Sequence, residues 1–390
     1  MALNVLMLST LFPDMSRPNF GVFVERQARE LASREGVSVT VVAPVGLPPW
    51  PLSRAPHYAA LRALPRQEQW KDLSVHRPRF PIIPKFGGRA NVTTMTRALL
   101  PLVRRLHRET PFDVIDASFF FPDGPVAQRL SKALGIPYSV KARGADIHYW
   151  GERRGTRRLV KKAADGAAGL LAVSEAMRQS MIAMGIDGDK IRVHYTGVDL
   201  DRFQIADRDE AKAALGFAGR PVILSVGALI PRKGQELLVR ALPELPDAVL
   251  LLAGQGQDRT TLEKLSVDLK VEDRLGLLGG VAHGGLPRLF AAADVMALPS
   301  ASEGLANAWV EALACGTPIV ISDVGGAREL VDRPFAGRIV ERTPQAIAEA
   351  IRAILADPPD RNAVRETALR FTWAANGDTL VAHLRAIAGV

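Results

Sequence analysis

The sequence has almost no cysteine and no long apolar run. Cys315 is the one cysteine among 390 residues, which excludes an internal disulfide and a zinc site built from cysteines. We interpret it as a small buried side chain, not a catalytic thiol. No apolar run approaches the roughly 20 residues that cross a bilayer. The start MALNVLMLST has neither a basic region nor a small-residue cleavage site, so it predicts a buried strand instead of a signal peptide, and we expect a cytoplasmic protein.

Two common nucleotide-binding motifs are also missing. The stretch LLAGQGQDR has Gly254 and Gly256 after an apolar run, but no third glycine at the spacing that dinucleotide binding requires. No P-loop of the form GxxxxGKS or GxxxxGKT occurs. The sequence therefore argues against a dinucleotide oxidoreductase and a P-loop NTPase.

Positive charge is in excess. The chain has 50 lysines and arginines against 41 acidic residues, a formal net charge of +9. This balance favours anionic partners such as nucleotides, anionic lipid or nucleic acid. No nucleic-acid recognition motif is present in the sequence, so we expect no nucleic acid among the partners.

Strand-like and helix-like stretches alternate twice along the chain. The first series opens with NVLMLST, FVERQARELASRE and VSVTVVAP, and the second opens after Gly216 with PVILSVGAL, QELLVRALPEL and AVLLLAG. Such alternation predicts parallel α/β sheets with crossover helices. We predict two doubly wound, Rossmann-like domains, residues 1–200 and 201–371. A last helix in residues 372–390 is expected to return to the first domain, with packing on the second left open.

The segment 44–89 interrupts this alternation. It is rich in proline, contains Trp50 and Trp70, and has little periodicity. A long irregular segment of this kind is usually functional or disordered. We expect either a lid or acceptor-side loop, or a plain surface excursion.

The stretch SEGLANAWVEALACGTPIV predicts a ligand site. Residues 300–306 form a loop after a strand, and residues 307–314 form a helix that Gly316 and Pro318 end. Loops at the carboxyl ends of strands bind ligands in open α/β sheets. A phosphate or sugar hydroxyl suits the backbone amides at the helix start, which belong to Gly304, Leu305, Ala306 and Asn307.

Two glutamates flank this helix start. Glu303 precedes it, and Glu311 lies within its apolar part, where a carboxylate needs partners. The pair can accept hydrogen bonds from two different sugar rings. Alternatively, Glu303 complements the helix dipole and Glu311 is a solvated helix residue.

A wider set of motifs covers nearly the whole chain. The two glutamates are separated by seven residues and are followed by ALACGTPIV and GG. Further blocks include NVLMLSTLFP with NFGVFVERQARELA, GLLAVSEAMRQSM, KIRVHYTGVDLDRF, SVGALIPRKGQELLVRAL and LGGVAHGGLPRLFAAADVMALPS. In content and order they resemble family 4 of the retaining glycosyltransferases. The resemblance implies the GT-B fold, in which two Rossmann-like domains face each other across a cleft.

The resemblance also implies roles for individual residues. Glu311 would bind the ribose of a nucleotide sugar, and Glu303 would contact the hydroxyls of the donor sugar. Lys233, in PRKG, would face the diphosphate with Arg232 as a second cation, and we predict Lys233 to be the principal catalytic residue because the departing diphosphate is strongly negative. Gly21 would meet the same diphosphate from the first domain. The remaining donor-binding positions are Gly227, Gly254, Gly280 and Val281, the last two near the base.

Two positions depart from the family pattern. Ala228 stands where the family often has arginine, so Arg232 would substitute. The block ARGADIH places Arg143 where the family often has histidine, followed by Asp146. Arginine cannot act as a general base at neutral pH, but it can bind the donor phosphate or an anionic acceptor, and we keep Arg143 and Asp146 as catalytic candidates.

No metal site is expected. Glycosyltransferases of the other common fold hold a divalent ion with Asp-x-Asp, and this chain has Asp199 with Asp201 and Asp207 with Asp209. We interpret these as turn and helix-capping residues. We expect no metal and no cofactor, with a nucleotide diphosphate sugar, UDP- or GDP-linked, as donor substrate.

The basic run ERRGTRRLVKKAA has its cations in residues 153–162 and is either a solvated helix face or a surface for anionic lipid at the inner face of the plasma membrane. The second reading suits a lipid-linked acceptor.

The resemblance implies a retaining hexosyltransferase that moves a sugar to a glycan or lipid-linked acceptor, in cell-surface polysaccharide or glycolipid synthesis. Two alternatives stay open: a nucleotide-sugar epimerase on the same fold, and a catalytically silent module that binds the nucleotide sugar.

Overall fold

Strands and helices alternate along the chain, and the computed structural model describes residues 2–82 and 88–390. The chain divides into two units, one of residues 1–197 with 373–390 and the other of residues 198–372. No helix in these described ranges is both long and apolar enough to cross a membrane.

The first unit is built on parallel strands. Its strands are β1 (Leu3–Leu8), β2 (Val37–Val42), β3 (Val45–Leu47), β4 (Gln67–Trp70), β5 (Leu73–His76), β6 (Arg79–Pro81), β7 (Val114–Ala117), β8 (Tyr138–Ala142), β9 (Gly169–Ala172) and β10 (Ile191–Val193). Eight of them form one sheet in the order β10-β9-β8-β7-β1-β2-β5-β4. All neighbours in it are parallel except β4 and β5. The central strands β7, β8 and β9 are buried along their whole length, as in parallel sheets covered by helices, and are mostly apolar except for Asp116, Ser139 and Lys141.

The segment 44–89 is more regular than the sequence predicted. It contains β3 and β6, which pair in parallel, and the hairpin of β4 and β5 that extends the main sheet. The expectation of an irregular excursion is therefore wrong for these strands; residues 83–87 of the segment lie outside the described residues. These strands have only three or four residues each, too few to show a periodic pattern, so tertiary pairing decides their structure.

Helices of the first unit pack around its eight-stranded sheet. They are α1 (Val22–Ala32), α2 (Ala59–Ala63), α3 (Gly88–Glu109), α4 (Asp123–Leu134), α5 (Ala145–His148), α6 (Arg154–Gly166) and α7 (Glu175–Ala183). In α1, Val24, Ala28 and Leu31 recur at helical spacing and are fully buried. This apolar stripe explains why α1 packs on the sheet.

The second unit is built on a six-stranded parallel sheet. Its strands are β11 (Val222–Val226), β12 (Val249–Ala253), β13 (Leu275–Gly279), β14 (Val295–Leu298), β15 (Ile319–Ser322) and β16 (Gly337–Val340), in the order β13-β12-β11-β14-β15-β16. Its helices are α8 (Arg208–Ala213), α9 (Gln235–Ala241), α10 (Arg259–Asp268), α11 (Leu286–Ala292), α12 (Asn307–Ala314), α13 (Ala327–Leu330), α14 (Pro344–Ala356) and α15 (Arg361–Glu366). The strand order reverses between β11 and β14, and ligands bind at such a switch point in open α/β sheets. The predicted helix over residues 307–314 is confirmed.

The last helix, α16 (Trp373–Ala388), belongs to the first unit. Leu380 and Leu384 are fully buried in that unit's core, beside α1. Buried hydrogen bonds add to this packing: the ring of His383 bonds the Ser139 hydroxyl through Nε2 at 2.8 Å, and the backbone carbonyl of Asn376 lies 2.9 Å from Nε2 of His194.

Candidate active site

Most of the predicted site residues lie at the carboxyl ends of the strands in the second unit. Because all six strands are parallel, the loops that follow them lie at one edge of the sheet. Gly227, Arg232 and Lys233 follow β11, and Gly254 follows β12. The other predicted residues follow β13 and β14, namely Gly280, Val281, Glu303, Gly304, Leu305, Ala306, Asn307 and Glu311.

Lys233 lies in a tight turn between β11 and α9. A single 3₁₀ turn, Pro231–Lys233, leads into Gly234, whose φ of +75° is left-handed. A Cβ at Gly234 would collide with the backbone carbonyl of Pro299, so only glycine fits there. The backbone amide of Ala301 donates to the Arg232 carbonyl at 2.7 Å. The loops after β11 and β14 are thus fixed against each other.

An ion pair links Lys233 with Glu303. Lys233 Nζ lies 2.6 Å from Glu303 Oε1, and both side chains are largely buried, at 14% and 9% exposure. Arg232 Nη1 lies 3.4 Å from the same oxygen and donates to the Ser302 carbonyl, while its side chain is 42% exposed. Charge-assisted bonds of this kind are about twice as strong as neutral ones. Two cations share one carboxylate, so this cluster carries a net positive charge.

The loop that carries Glu303 leads into α12. The Gly326 amide donates to the Gly304 carbonyl at 2.7 Å, and the Ser322 hydroxyl donates to the Ser300 carbonyl. These bonds hold the loop against the end of β15. Ala306 occupies the helix-capping position and has no side-chain oxygen, so the amides of the first turn lack the usual side-chain acceptor. The helix start is therefore suited to an external anion.

Glu311 has a partner that the sequence did not predict. Its carboxylate Oε1 lies 2.7 Å from Nε2 of His283, which follows β13. Glu311 is buried, with Trp309 and Val310 beside it fully or nearly fully buried. The expectation of a solvated helix glutamate is therefore wrong. The only signal was one histidine in GVAHGGL, a loop at the carboxyl end of a strand.

Cys315 ends α12 and is buried, which confirms its interpretation as a core residue. Burial, with a contribution from Glu311, raises the pKa of its thiol to about 12. The thiol therefore stays protonated at neutral pH and is a poor nucleophile.

Three predicted residues lie in the first unit. Gly21 precedes α1 with a left-handed φ of +69°, and a Cβ there would collide with the Leu11 carbonyl. A local packing requirement therefore accounts for this glycine. Arg143 and Asp146 lie just after β8.

Arg143 is held in place by neutral acceptors. Its Nε donates to the Ser118 carbonyl at 2.7 Å, its Nη2 to Gln27 Oε1 at 3.1 Å, and its guanidinium lies 4.8 Å from the centre of the Phe23 ring. Burial lowers the pKa of Arg143 to about 10, against the opposing effect of nearby carboxylates. The side chain therefore remains charged at neutral pH and can attract an anion.

Asp146 is surrounded by amides. Its carboxylate accepts from the backbone nitrogens of Arg143, Gly144 and Phe120 at 2.8–3.1 Å and is fully buried. Burial raises its pKa, although these hydrogen bonds oppose the rise. This geometry fits a residue that orders the turn before α5.

A buried set of charged side chains surrounds Arg143, and the sequence did not predict it. Burial raises the pKa of Asp116 to about 6 and that of Asp123 to about 7. Lys141 donates to Nδ1 of His194 at 2.9 Å and contacts Gln27 Oε1 at 3.3 Å. Burial lowers the pKa of both Lys141 and His194 well below the usual values.

Two of the four aspartates considered for a metal bind backbone amides. Asp207 caps α8 by accepting from the Glu210 amide at 2.8 Å, and Asp199 accepts from the Arg202 amide at 3.1 Å. Within residues 2–82 and 88–390, no three His, Cys, Asp or Glu side chains cluster as a metal site would require.

The basic run forms one face of α6. Thr156, Val160 and Ala163 are buried, and the Arg153 guanidinium lies 4.7 Å from the centre of the Tyr149 ring. We call the exposed cations the α6 basic face, which consists of Arg153, Arg154, Arg157, Arg158 and Lys162.

Two family models match the chain. Residues 20–202 match the model described as Glycosyltransferase Family 4. Residues 207–371 match the one described as Glycosyl transferases group 1. Together they match most of both units.

The chain is also similar to named proteins and to solved structures. It is 32% identical over 284 residues to the GDP-mannose-dependent α-(1-6)-phosphatidylinositol monomannoside mannosyltransferase of Mycolicibacterium smegmatis. The aligned residues cover 62% of this chain and 74% of the relative. It is 28% identical over 371 residues to a Bacillus subtilis glycosyltransferase named for teichuronic acid biosynthesis, covering 90% and 88% of the two chains. Sucrose-phosphate synthase from Thermosynechococcus elongatus superposes with a TM-score of 0.84 at 22% identity, covering 99% of each chain.

Proposed function

The chain belongs to glycosyltransferase family 4 and has its two-domain GT-B fold, and from this premise we propose the reaction it performs. It is a retaining, metal-independent hexosyltransferase that takes its sugar from a nucleotide diphosphate sugar. The acceptor is a glycan or a lipid-linked glycan in cell-surface polysaccharide or glycolipid synthesis. Both curated relatives described above act in syntheses of this kind, judged by their names.

The ion pair of Lys233 with Glu303 carries this proposal. It lies at the carboxyl edge of the sheet, in the loops that lead into α9 and α12. A diphosphate needs cations and amide donors, and Lys233, Arg232 and the start of α12 supply both. A sugar needs hydrogen-bond acceptors for its hydroxyls, and Glu303 supplies one from the same cluster.

In the reaction, Lys233 and Arg232 stabilise the charge that develops on the departing diphosphate. Glu303 accepts hydrogen bonds from the hydroxyls of the transferred sugar, and Glu311 accepts them from the ribose. The bond between the anomeric carbon and the phosphate oxygen breaks as the acceptor oxygen attacks from the same face. The acceptor proton passes to a phosphate oxygen, so no enzymatic nucleophile is needed.

A donor screen tests this reaction. We expect one of UDP-, GDP-, ADP- and dTDP-sugars to raise the thermal unfolding midpoint and to release its nucleoside diphosphate slowly. EDTA should change neither the unfolding midpoint nor the release of the nucleoside diphosphate, because the cations that face the diphosphate belong to the protein. Binding without release, even with acceptors supplied, would favour the silent module; recovery of an epimerised nucleotide sugar would favour the epimerase. No binding by any donor would contradict the proposal.

We also place the α6 basic face against the anionic inner surface of the plasma membrane. Five exposed cations lie there with Tyr149 beside them, and each basic residue near such a surface contributes about 1 kcal/mol. The acceptor of the mycobacterial relative, judged by its name, is a phosphatidylinositol mannoside. A lipid-linked acceptor would be met at that surface.

Vesicle binding tests the membrane contact. The protein is expected to sediment with vesicles that contain phosphatidylglycerol and not with pure phosphatidylcholine. Reversing Arg157, Arg158 and Lys162 to glutamate should weaken this binding about 100-fold, since about 3 kcal/mol of attraction is removed. Reversing three exposed cations on other helices, Arg104, Lys132 and Lys264, is the matched control. Equal losses of vesicle binding in the two triple variants would contradict specific binding through the α6 basic face.

A further inference from the structure

His283 and Glu311 form a pair at the carboxyl edge of the second unit's sheet. His283 Nε2 lies 2.7 Å from Glu311 Oε1, and their side chains are only 17% and 11% exposed. Among the described residues, no other side chain donates a hydrogen bond to this carboxylate. The ring of Phe203 packs edge-on against the imidazole, with 5.3 Å between the ring centres. One histidine therefore sets the orientation of the carboxylate.

The hydrogen bonds fix the tautomer of His283. Its Nδ1 is buried without a hydrogen-bond partner in the described part of the chain. A proton on Nδ1 would leave a donor buried and unpaired, which is costly. The stable form carries its proton on Nε2 and donates it to Glu311. The imidazole is then a fixed donor, and the carboxylate keeps Oε2 for another partner.

Glu311 needs such a donor. It lies in α12 between buried apolar side chains, where a carboxylate without partners would be strongly destabilised. The Phe203 ring limits movement of the imidazole, and the imidazole in turn limits rotation of the carboxylate. A binding group keeps its productive geometry when packing and supporting hydrogen bonds lock its conformation in this way.

We propose that His283 is a positioning residue that makes this site selective for ribonucleotides. By holding Oε1, it turns Oε2 of Glu311 toward the ribose diol of the donor. A 2′-deoxynucleotide has one fewer hydroxyl to donate, so it gains less from the oriented carboxylate. This inference rests on the proposed function, because Glu311 must face a nucleotide.

Nucleotide binding tests it without requiring turnover. The dissociation constants of UDP, GDP and ADP, and of their 2′-deoxy counterparts, would be measured by calorimetry. In the wild type, the ribonucleotide is expected to bind about tenfold more tightly than the deoxynucleotide. In His283→Ala this preference should fall to about twofold, through weaker binding of the ribonucleotide alone. His283→Gln places an amide nitrogen near the position of Nε2 and should restore most of the preference.

A double substitution separates positioning from folding. If His283 acts through Glu311, His283→Ala should have no further effect on the preference in a Glu311→Ala background. Loss of affinity for both nucleotides alike, or a preference that survives His283→Ala, would overturn the inference while leaving the proposed function in place. Failure of the wild type to bind any nucleoside diphosphate of the donor screen would instead overturn the proposed function, and the inference with it.

Discussion

Lys233→Ala is expected to lower turnover about a thousandfold while shifting the thermal unfolding midpoint by only a few degrees. Removing one preorganised group that stabilises developing negative charge commonly costs 10²–10³ in rate. The effect on folding is small because Arg232 Nη1 remains 3.4 Å from Glu303 Oε1. A loss of about 1 kcal/mol would shift the midpoint by about 2–4 °C in a domain of this size. Nucleoside diphosphate release and differential scanning fluorimetry measure the two effects.

Two further variants sharpen this prediction. Lys233→Arg keeps the charge but changes its geometry, so it should retain more activity than the alanine variant and still fall well below the wild type. Lys264→Ala, on the exposed side of α10, should leave both quantities unchanged. If Lys233→Ala lost stability in proportion to activity, Lys233 would be a structural residue and its catalytic role would be wrong.

Asp123→Asn is expected to stabilise the first unit at pH 8 more than at pH 5. Burial raises the pKa of Asp123 from 3.8 to about 7, so the folded state favours the protonated carboxyl. This contribution to stability is complete below about pH 4 and is lost as the pH rises through 7. Three pKa units correspond to about 4 kcal/mol, or an increase of roughly 10 °C in the unfolding midpoint at pH 8.

The difference between the two pH values is the quantity to measure. Asparagine keeps an oxygen for the Thr10 amide, which donates to Asp123 Oδ2 at 3.0 Å, and its uncharged amide resembles the protonated acid. Any loss of stability from burying that amide applies at both pH values, so it cancels in the difference between the two shifts of the unfolding midpoint. Asp189→Asn, at an exposed position in the same unit, is the control and should show no difference. An Asp123→Asn shift that is the same at pH 5 and pH 8 would contradict a buried, protonated carboxyl.

The central elements of both sheets could be predicted because their sequences repeat one physical pattern. Strands such as β1 and β14 are short apolar runs, and each is followed by an amphipathic helix. Helix α12 had clear signals at both ends, so its bounds were predicted correctly. Strands β4 and β5 were missed because each has only four residues within a proline-rich segment, and β4 has three consecutive polar residues, so no strand periodicity stands out.

The charged residues of the candidate sites were harder to predict than the backbone around them. Lys141 stands in a strand, and only the tertiary structure shows that it is buried and bonded to His194. His283 and Glu311 are 28 residues apart, so their pairing depends on how β13 and β14 are arranged in the sheet. Sequence spacing identified Glu303 and Glu311 as a pair, but it carried no information about the partner that each carboxylate has.

The place of α16 in the first unit also bears on the order in which the protein is synthesised. The second unit is one continuous stretch, residues 198–372, and leaves the ribosome before α16 does. Until then the first unit lacks the buried Leu380 and Leu384, as well as the bond between His383 and Ser139. Domains usually complete their folding from the N-terminus onward during translation. Here the later domain has its whole sequence first, and the earlier one must wait for the last helix to be made.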